Sequence, residues 1–260
     1  NEDVMAADRD GLSSEVNLIP EIGLVDCGKE ELIPASAMPG GRKVGDMVHA
    51  ILEDLLTGGQ CVVGDEADLK MALRPLLELH MPRIQLASCW EEKLAEMLTR
   101  CLVQNIPDVG EGFRLLDLPR EQLACEMPFL LRSGDRETPV DFEQFASAFE
   151  RSKCPEYAKR ARQIDLKGLK GFLSGFIDLT FLWEGKWYLL DYKSNRLGTR
   201  VSDYGRESLK EAMVMHDYVL QYHLYSVALD QLLRQRVPDY SYESHFGGAI
   251  YLFLRGFDGK

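Results

Sequence analysis

Between Val44 and Leu56 the apolar residues Val44, Met47, Val48, Ile51, Leu52, Leu55 and Leu56 recur at helical spacing, and Gly58-Gly59 follows as a stop. The pattern predicts further helices over 66–105, broken near Pro75 and Pro82, then a strand from Leu123 to Leu131. Residues 141–163 read as helical with a break near Pro155. Phe172 to Trp183 and Lys186 to Tyr192 are rich in aromatic and branched residues, and read as two strands around a Glu184-Gly185 turn. One long amphipathic helix is expected from about Glu207 to Arg234, ending before Pro238. Gly248 to Leu254 closes the series as a strand apolar enough to be central and buried. Residues 1–40 show no sustained period and carry Pro20, Pro34 and Pro39, which suggests an arm or linker ahead of a domain spanning 41–260. Helices, a strand, a hairpin, a long helix and a closing strand make an α/β sheet with helices on its faces.

Composition supports a buried core, since 45% of the 260 residues are hydrophobic. No run approaches the ~20 apolar residues of a membrane helix. The start, at Asn1 rather than Met, is polar and acidic and does not resemble a secretory signal; it suggests an excised or processed chain. The six cysteines, at 27, 61, 89, 101, 125 and 154, form no CxxC pair, and fit reduced, mostly buried thiols in a cytoplasmic protein. No GxxxxGK[ST] phosphate loop occurs. The net charge of −12 argues against a nucleic-acid partner, yet Lys159 to Lys210 holds eleven Lys/Arg against six Asp/Glu. A locally basic path is compatible with an acidic whole, as is a merely solvated charged face.

The basic stretch also holds the best candidate chemistry. If Glu184-Gly185 is a two-residue turn, Trp183 pairs with Lys186, and Asp178 falls opposite Asp191 with Cβ atoms ~5 Å apart. Facing like charges destabilise a sheet, and a divalent cation between them offsets that cost. Lys193, two residues beyond Asp191, leaves the strand on the same side. Two carboxylates suit Mg²⁺, with Mn²⁺ or Ca²⁺ able to take the same site. The lysine can orient an attacking water or stabilise charge on a phosphorane. The same residues also fit two solvent-facing aspartates with a neighbouring lysine.

The segment GFIDLTFLWEGKWYLLDYKSNRLG resembles the PD-(D/E)XK nuclease superfamily, in particular its RecB-type nuclease domains, with Asp178 as the lone motif acid and Asp191-Tyr192-Lys193 as the D-x-K element. GDMVHAILEDL (45–55), DYVLQYHLYSVAL (217–229) and YESHFGGAIYLFLRG (242–256) extend the resemblance in order. It implies a restriction-endonuclease-like core: a mixed central sheet flanked by helices, with an extra N-terminal helical region. It implies a metal site of His49, Asp178, Asp191 and the Tyr192 carbonyl, with Asp178, Asp191 and Lys193 catalytic. Glu126 is implied as a supporting acid. Gln221 and Tyr225 match a Q-x-x-x-Y motif that contacts DNA or supports the lysine. Ser194, Asn195 and Arg196 are further candidates for phosphate contact.

The implied activity is Mg²⁺-dependent DNA hydrolysis within a helicase–nuclease of double-strand break repair and recombination. The implied partners are single-stranded DNA or frayed ends, a helicase region, and RecC- and RecD-type subunits. Two other readings stay open at this point. One is a catalytically inactive nuclease fold that binds DNA. The other is a stand-alone exonuclease of the same superfamily, although relatives with a C-terminal iron–sulfur cluster need cysteines after Cys154.

Overall fold

The computed structural model describes residues 37–58, 66–133, 142–151, 154–164 and 171–257. Most of the expected arm, and Gly59, Cys27 and Cys61, lie outside them. Three helices come first: α1 (Arg42–Thr57), α2 (Glu66–His80) and α3 (Glu91–Val103). Strand β1 (Leu123–Ser133) precedes α4 (Phe142–Glu150) and α5 (Tyr157–Ala161), and the hairpin β2 (Gly171–Trp183) and β3 (Lys186–Lys193) follows. Helices α6 (Arg206–Met215), α7 (Tyr218–Arg236) and the single turn α8 (Tyr242–His245) lead into β4 (Phe246–Phe253).

The sheet order is β1-β2-β3-β4, antiparallel in its first two pairings and parallel between β3 and β4. A parallel neighbour needs a long crossover, and α6 and α7 lie within it. The expected mixed sheet flanked by helices is thus present. Val48, Ile51 and Leu52 of α1 pack with Leu73 and Leu77 of α2, Leu98 of α3, and Leu179, Phe181 and Leu190 of the sheet. A second cluster joins Tyr225, Ala228 and Leu229 of α7 to Phe129, Leu131, Ile177 and Leu189.

Four expectations need correction. Pro75 does not break α2, which runs through it to His80. Leu69, Leu73 and Leu77 are fully buried along that helix, and their packing outweighs the ~3 kcal/mol that an internal proline costs. The long C-terminal helix is two helices, because Asp217 takes a left-handed backbone (φ 57°). Its carboxylate accepts bonds from Tyr157 Oη at 2.8 Å and from Arg160 Nε and Nη2 at 2.9 and 2.6 Å, which hold the break. Strand β4 is last in the sheet order, not central. Its apolar residues are explained by cover on both sides: Leu252 joins the α1–α3 core, while Phe253 meets Ala212 and Tyr218. Among the described cysteines only Cys101 is buried; Cys89 is exposed and Cys125 and Cys154 are half-buried.

The described chain begins against the core. Met38 is buried, and Arg255, just beyond β4 and fully buried, donates to the carbonyls of Met38 (2.9 Å), Pro39 (2.7 Å) and Ser194 (2.8 Å). One guanidinium therefore ties the approach to α1 to the ends of β3 and β4.

Candidate functional site

The β2–β3 hairpin has the expected register. Trp183 pairs with Lys186 around a turn in which Glu184 (φ 48°) and Gly185 (φ 78°) both have positive φ, and pairing continues to Leu179 opposite Leu190. The next row would place Asp178 opposite Asp191. There the Asp178 carboxylate instead accepts a hydrogen bond from the backbone N–H of Tyr192 at 2.8 Å. On β1 the ladder passes from Cys125↔Leu179 to Met127↔Ile177, leaving Glu126 level with Asp178 in a left-handed conformation (φ 49°). On β4 the same row holds Tyr251, the partner of Asp191. Glu126, Asp178, Asp191 and Tyr251 thus form one line across the sheet.

The hairpin also turns at this line. Ile177 and Leu179 would share a face in a regular strand. Yet Ile177 belongs to the α7 cluster and Leu179 to the α1–α3 cluster. A sheet that serves both helical layers has to bend between them, and Asp178 is the residue at the bend.

Helix α1 brings His49 to Asp178. The imidazole is buried, its Nε2 lies 3.0 Å from the Tyr192 carbonyl oxygen, and its Nδ1 lies 3.4 Å from Asp178 Oδ1. With Nε2–H donating to the carbonyl, the Nδ1 edge faces the carboxylate. Ligand atoms of His49, Glu126 and Asp178 all lie within 4.8 Å of one another. A nitrogen and two carboxylates at that spacing, in a largely buried setting, fit a divalent cation. Glu126 therefore stands inside the cluster, closer to the centre than the sequence implied.

Asp191 lies on the other side of Asp178, against Lys193. Lys193 Nζ is 2.6 Å from Asp191 Oδ2, and both residues are buried, at 3% and 1% exposure. Burial and the charge of Asp178 push the Asp191 carboxyl up to about 7, against the opposing pull of Lys193. For Asp178 burial also acts upward, but His49, Lys193 and the Tyr192 N–H outweigh it and hold its carboxyl below the usual range. The pair therefore shares its charge unequally, with Asp191 the one that takes up a proton as pH falls below about 7.

Helix α7 completes the surroundings of Lys193. Gln221 Oε1 accepts from Lys193 Nζ at 3.0 Å and from Tyr251 Oη at 3.1 Å, and Gln221 Nε2 donates to Tyr225 Oη at 2.9 Å. The ammonium lies 3.9 Å from the centre of the Tyr218 ring and 5.5 Å from that of Tyr251. Tyr218 Oη in turn donates to Asn195 Oδ1 at 2.9 Å. Gln221 thus contacts the lysine directly and Tyr225 contacts Gln221. Ser194 is buried with its carbonyl on Arg255, Asn195 is half-buried between Tyr218 and Tyr204, and Arg196 is exposed.

Tyr218, Tyr251 and Arg255 were not singled out from the sequence. Tyr218, Gln221 and Tyr225 do lie at i, i+3 and i+7, one helix face. That spacing was available as a signal only if the helix was known to begin at Tyr218. The basic stretch is partly neutralised internally: Arg160 pairs with Asp217, Arg162 with Glu143 and Glu150, and Lys210 with Glu156. Among the described residues no helix is long and apolar enough to cross a membrane.

Residues 27–259 match the family model of the PD-(D/E)XK nuclease superfamily. Curated relatives agree. The chain is 34% identical over 241 residues to the RecBCD enzyme subunit RecB of Escherichia coli (strain K12), covering 91% of this chain and 18% of that protein. It is 47% identical over 222 residues to RecB of Buchnera aphidicola subsp. Schizaphis graminum (85% and 17%), and 33% identical over 261 residues to RecB of Mycobacterium tuberculosis H37Rv (96% and 24%). The chain thus spans under a quarter of the length of these relatives.

Proposed function

Because this chain belongs to the PD-(D/E)XK nuclease superfamily, we propose that it hydrolyses DNA phosphodiester bonds at the line of acids that crosses the sheet at Asp178. The observation that carries the reading is the buried set of Asp178, Asp191 and Lys193 where β2 and β3 part, with His49 and Glu126 against Asp178. His49, Asp178, Asp191 and the Tyr192 carbonyl, with Glu126 beside them, would hold Mg²⁺, or Mn²⁺ or Ca²⁺ in its place. When bound, such a cation supplies charge for the phosphate oxygens and a water of lowered pKa.

The chain's own residues do the rest. Asp178 stays ionised, so it can accept hydrogen bonds or a ligand at neutral pH. Asp191 gives up its proton as positive charge arrives. Lys193 carries positive charge to the phosphate, where it stabilises the oxygens that gain charge as water attacks. Its position is set by Gln221 and the two tyrosine rings and does not depend on solvent. Pre-set charge in a buried place costs no reorganisation during reaction.

The substrate we propose is single-stranded DNA or frayed ends, delivered by a helicase region. The setting is cytoplasmic break repair and recombination, with RecC- and RecD-type subunits as partners. This rests on the RecB relatives, whose greater length leaves room for such a motor. The test is digestion of end-labelled single-stranded DNA with and without Mg²⁺, by the chain and by Asp191→Ala. Cleavage that needs both the metal and Asp191 is expected. Equal cleavage by Asp191→Ala overturns the assignment and leaves a DNA-binding module.

A further inference from the structure

In an unbroken helix residues two apart do not face each other. His216 and Tyr218 nevertheless meet: the imidazole is stacked on the tyrosine ring, with centroids 5.4 Å apart and planes at 24°. The left-handed backbone of Asp217 (φ 57°) between them makes this possible. Non-glycine residues seldom take that conformation, and strain of this kind collects where a group has to be held in one place. The ring that carries His216 also carries Lys193, whose ammonium lies 3.9 Å from its centre. The imidazole is thus one ring away from the lysine. The Tyr218 hydroxyl donates to Asn195 Oδ1 at 2.9 Å, and Arg196 follows Asn195 in the loop that leaves β3. Arg196 and His216 are both exposed. Neither the guanidinium nor the imidazole nitrogens have a hydrogen bond or ion pair among the described residues. Two acids nearby in sequence are already engaged. Asp217 holds Tyr157 and Arg160, and Asp203 holds the backbone N–H groups of Thr199 and Arg200.

We propose, on the nuclease reading above, that His216 and Arg196 hold a phosphate of the DNA strand next to the one at Lys193. Phosphate oxygens are common acceptors for arginine and for other side-chain donors, and an imidazole offers an N–H in either of its charge states. In a chain of net charge −12 these two donors stay open beside the buried lysine. Both stand on firm supports. Tyr218 is buried beneath His216, and the Asn195 carbonyl accepts from Tyr204 Oη at 3.3 Å. Phosphate contacts fix the register of a strand and carry no sequence information. With one phosphate on Lys193 and its neighbour on this pair, the strand cannot slide, and the bond to be cut stays over the acids. The break between α6 and α7 thereby gains a role: it turns His216 out of the helix and onto Tyr218.

Binding is measured in EDTA at low salt, where no cleavage intrudes, by fluorescence anisotropy of a labelled oligo-dT and of an abasic oligonucleotide of equal length, whose phosphates are intact. His216→Phe keeps a ring on Tyr218 and loses both nitrogens. It should melt near wild type and bind each oligonucleotide roughly tenfold more weakly. Should it melt early, His216→Ala, which adds no bulk, is read in its place. His216→Gln keeps an N–H and should retain most of the affinity. Arg196→Ala should lose a similar amount, with the slope of log affinity against log salt smaller by about one. Wild-type affinity in either His216→Phe or Arg196→Ala overturns the proposal, as does the absence of any binding by the wild type. A loss confined to oligo-dT overturns it too, because the imidazole would then be stacking on a base. The Mg²⁺-dependent cleavage assay is read separately. Cleavage by the wild type with unaltered binding in the variants removes the phosphate contact alone. Binding that depends on His216 and Arg196 in a chain that never cleaves removes the nuclease reading alone.

Discussion

Lys193 Nζ lies 2.6 Å from Asp191 Oδ2 on the same strand, and the two charges are screened from water by Tyr218, Tyr251 and Gln221. Removing either partner should therefore have unequal consequences. Without Lys193, Asp191 can remain protonated, so Lys193→Ala should fold and still bind Mg²⁺, while cleavage falls roughly 10²–10³-fold. Asp191→Ala leaves a buried ammonium without its carboxylate, a change that can cost ~3–5 kcal/mol, here lessened by the Gln221 bond and the tyrosine rings. It should lose cleavage to background and also melt earlier than Lys193→Ala. Calorimetric Mg²⁺ titration, melting curves and cleavage rates on both variants decide the order.

Stability should depend on pH through Asp191. Its carboxyl sits at about 7 in the folded protein, against ~3.9 for an ordinary Asp. Between those values the folded state binds more protons than the unfolded one, so stability falls as pH rises. The contribution is fully present below about 4 and lost by about 7, and amounts to a few kcal/mol at most, with Asp178 acting oppositely at more acid pH. In EDTA the wild type should thus melt at lower temperature at pH 7.5 than at pH 5.5, with Asp191→Asn showing a smaller difference. Mg²⁺ displaces the same proton, so its affinity should rise across that window and its binding should release a proton.

Asp217 should matter to the fold and, through it, to the site. Its carboxylate receives three hydrogen bonds from α5 while its backbone turns the chain between α6 and α7. Asp217→Ala loses those bonds and leaves a non-glycine residue in the left-handed region. A loss of roughly 1–3 kcal/mol in urea unfolding is expected. Asp217→Gly restores the backbone freedom alone and should recover only part of it. Cleavage should fall in step with stability, since Gln221 lies in the first turn after this break, with its N–H on the Asp217 carbonyl.

Arg255 is a fully buried cation outside the line of acids that crosses the sheet. Among the described residues its carbonyl acceptors, on Met38, Pro39 and Ser194, lie in segments far apart in sequence. Arg255→Met fills similar volume but leaves those oxygens without their donor, at roughly 1–3 kcal/mol for each group that water cannot reach. Arg255→Lys keeps the charge but lacks the planar fork. Both should lower the urea midpoint, with Met the more damaging, and both should loosen the docking of the segment before α1, seen as faster amide exchange at Val44 and Met47.

Much of this site can be read from residue order alone. A two-residue turn fixes an antiparallel register, so Glu184-Gly185 was enough to set the pairing from Trp183–Lys186 to Leu179–Leu190, one row short of Asp178 and Asp191. The apolar stripe of α1 placed His49 on a buried helix. These are local rules of period and turn chemistry, which operate within a few residues. The parting of β2 from β3 at Asp178, the left-handed Glu126 and the change of facing between Ile177 and Leu179 were not legible, because they arise where two helical layers demand opposite sides of one strand. Helical period likewise runs unbroken through 216–217, and the break exists because Tyr157 and Arg160, some sixty residues earlier, hold Asp217. An apolar strand such as β4 reads as central by its composition, although cover by helices on both sides can make an edge strand equally apolar. Sequence alone determined the candidate residues for the chemistry and how the hairpin pairs. Only tertiary packing decided the distances among them, since those depend on contacts between segments whose separation no local period encodes.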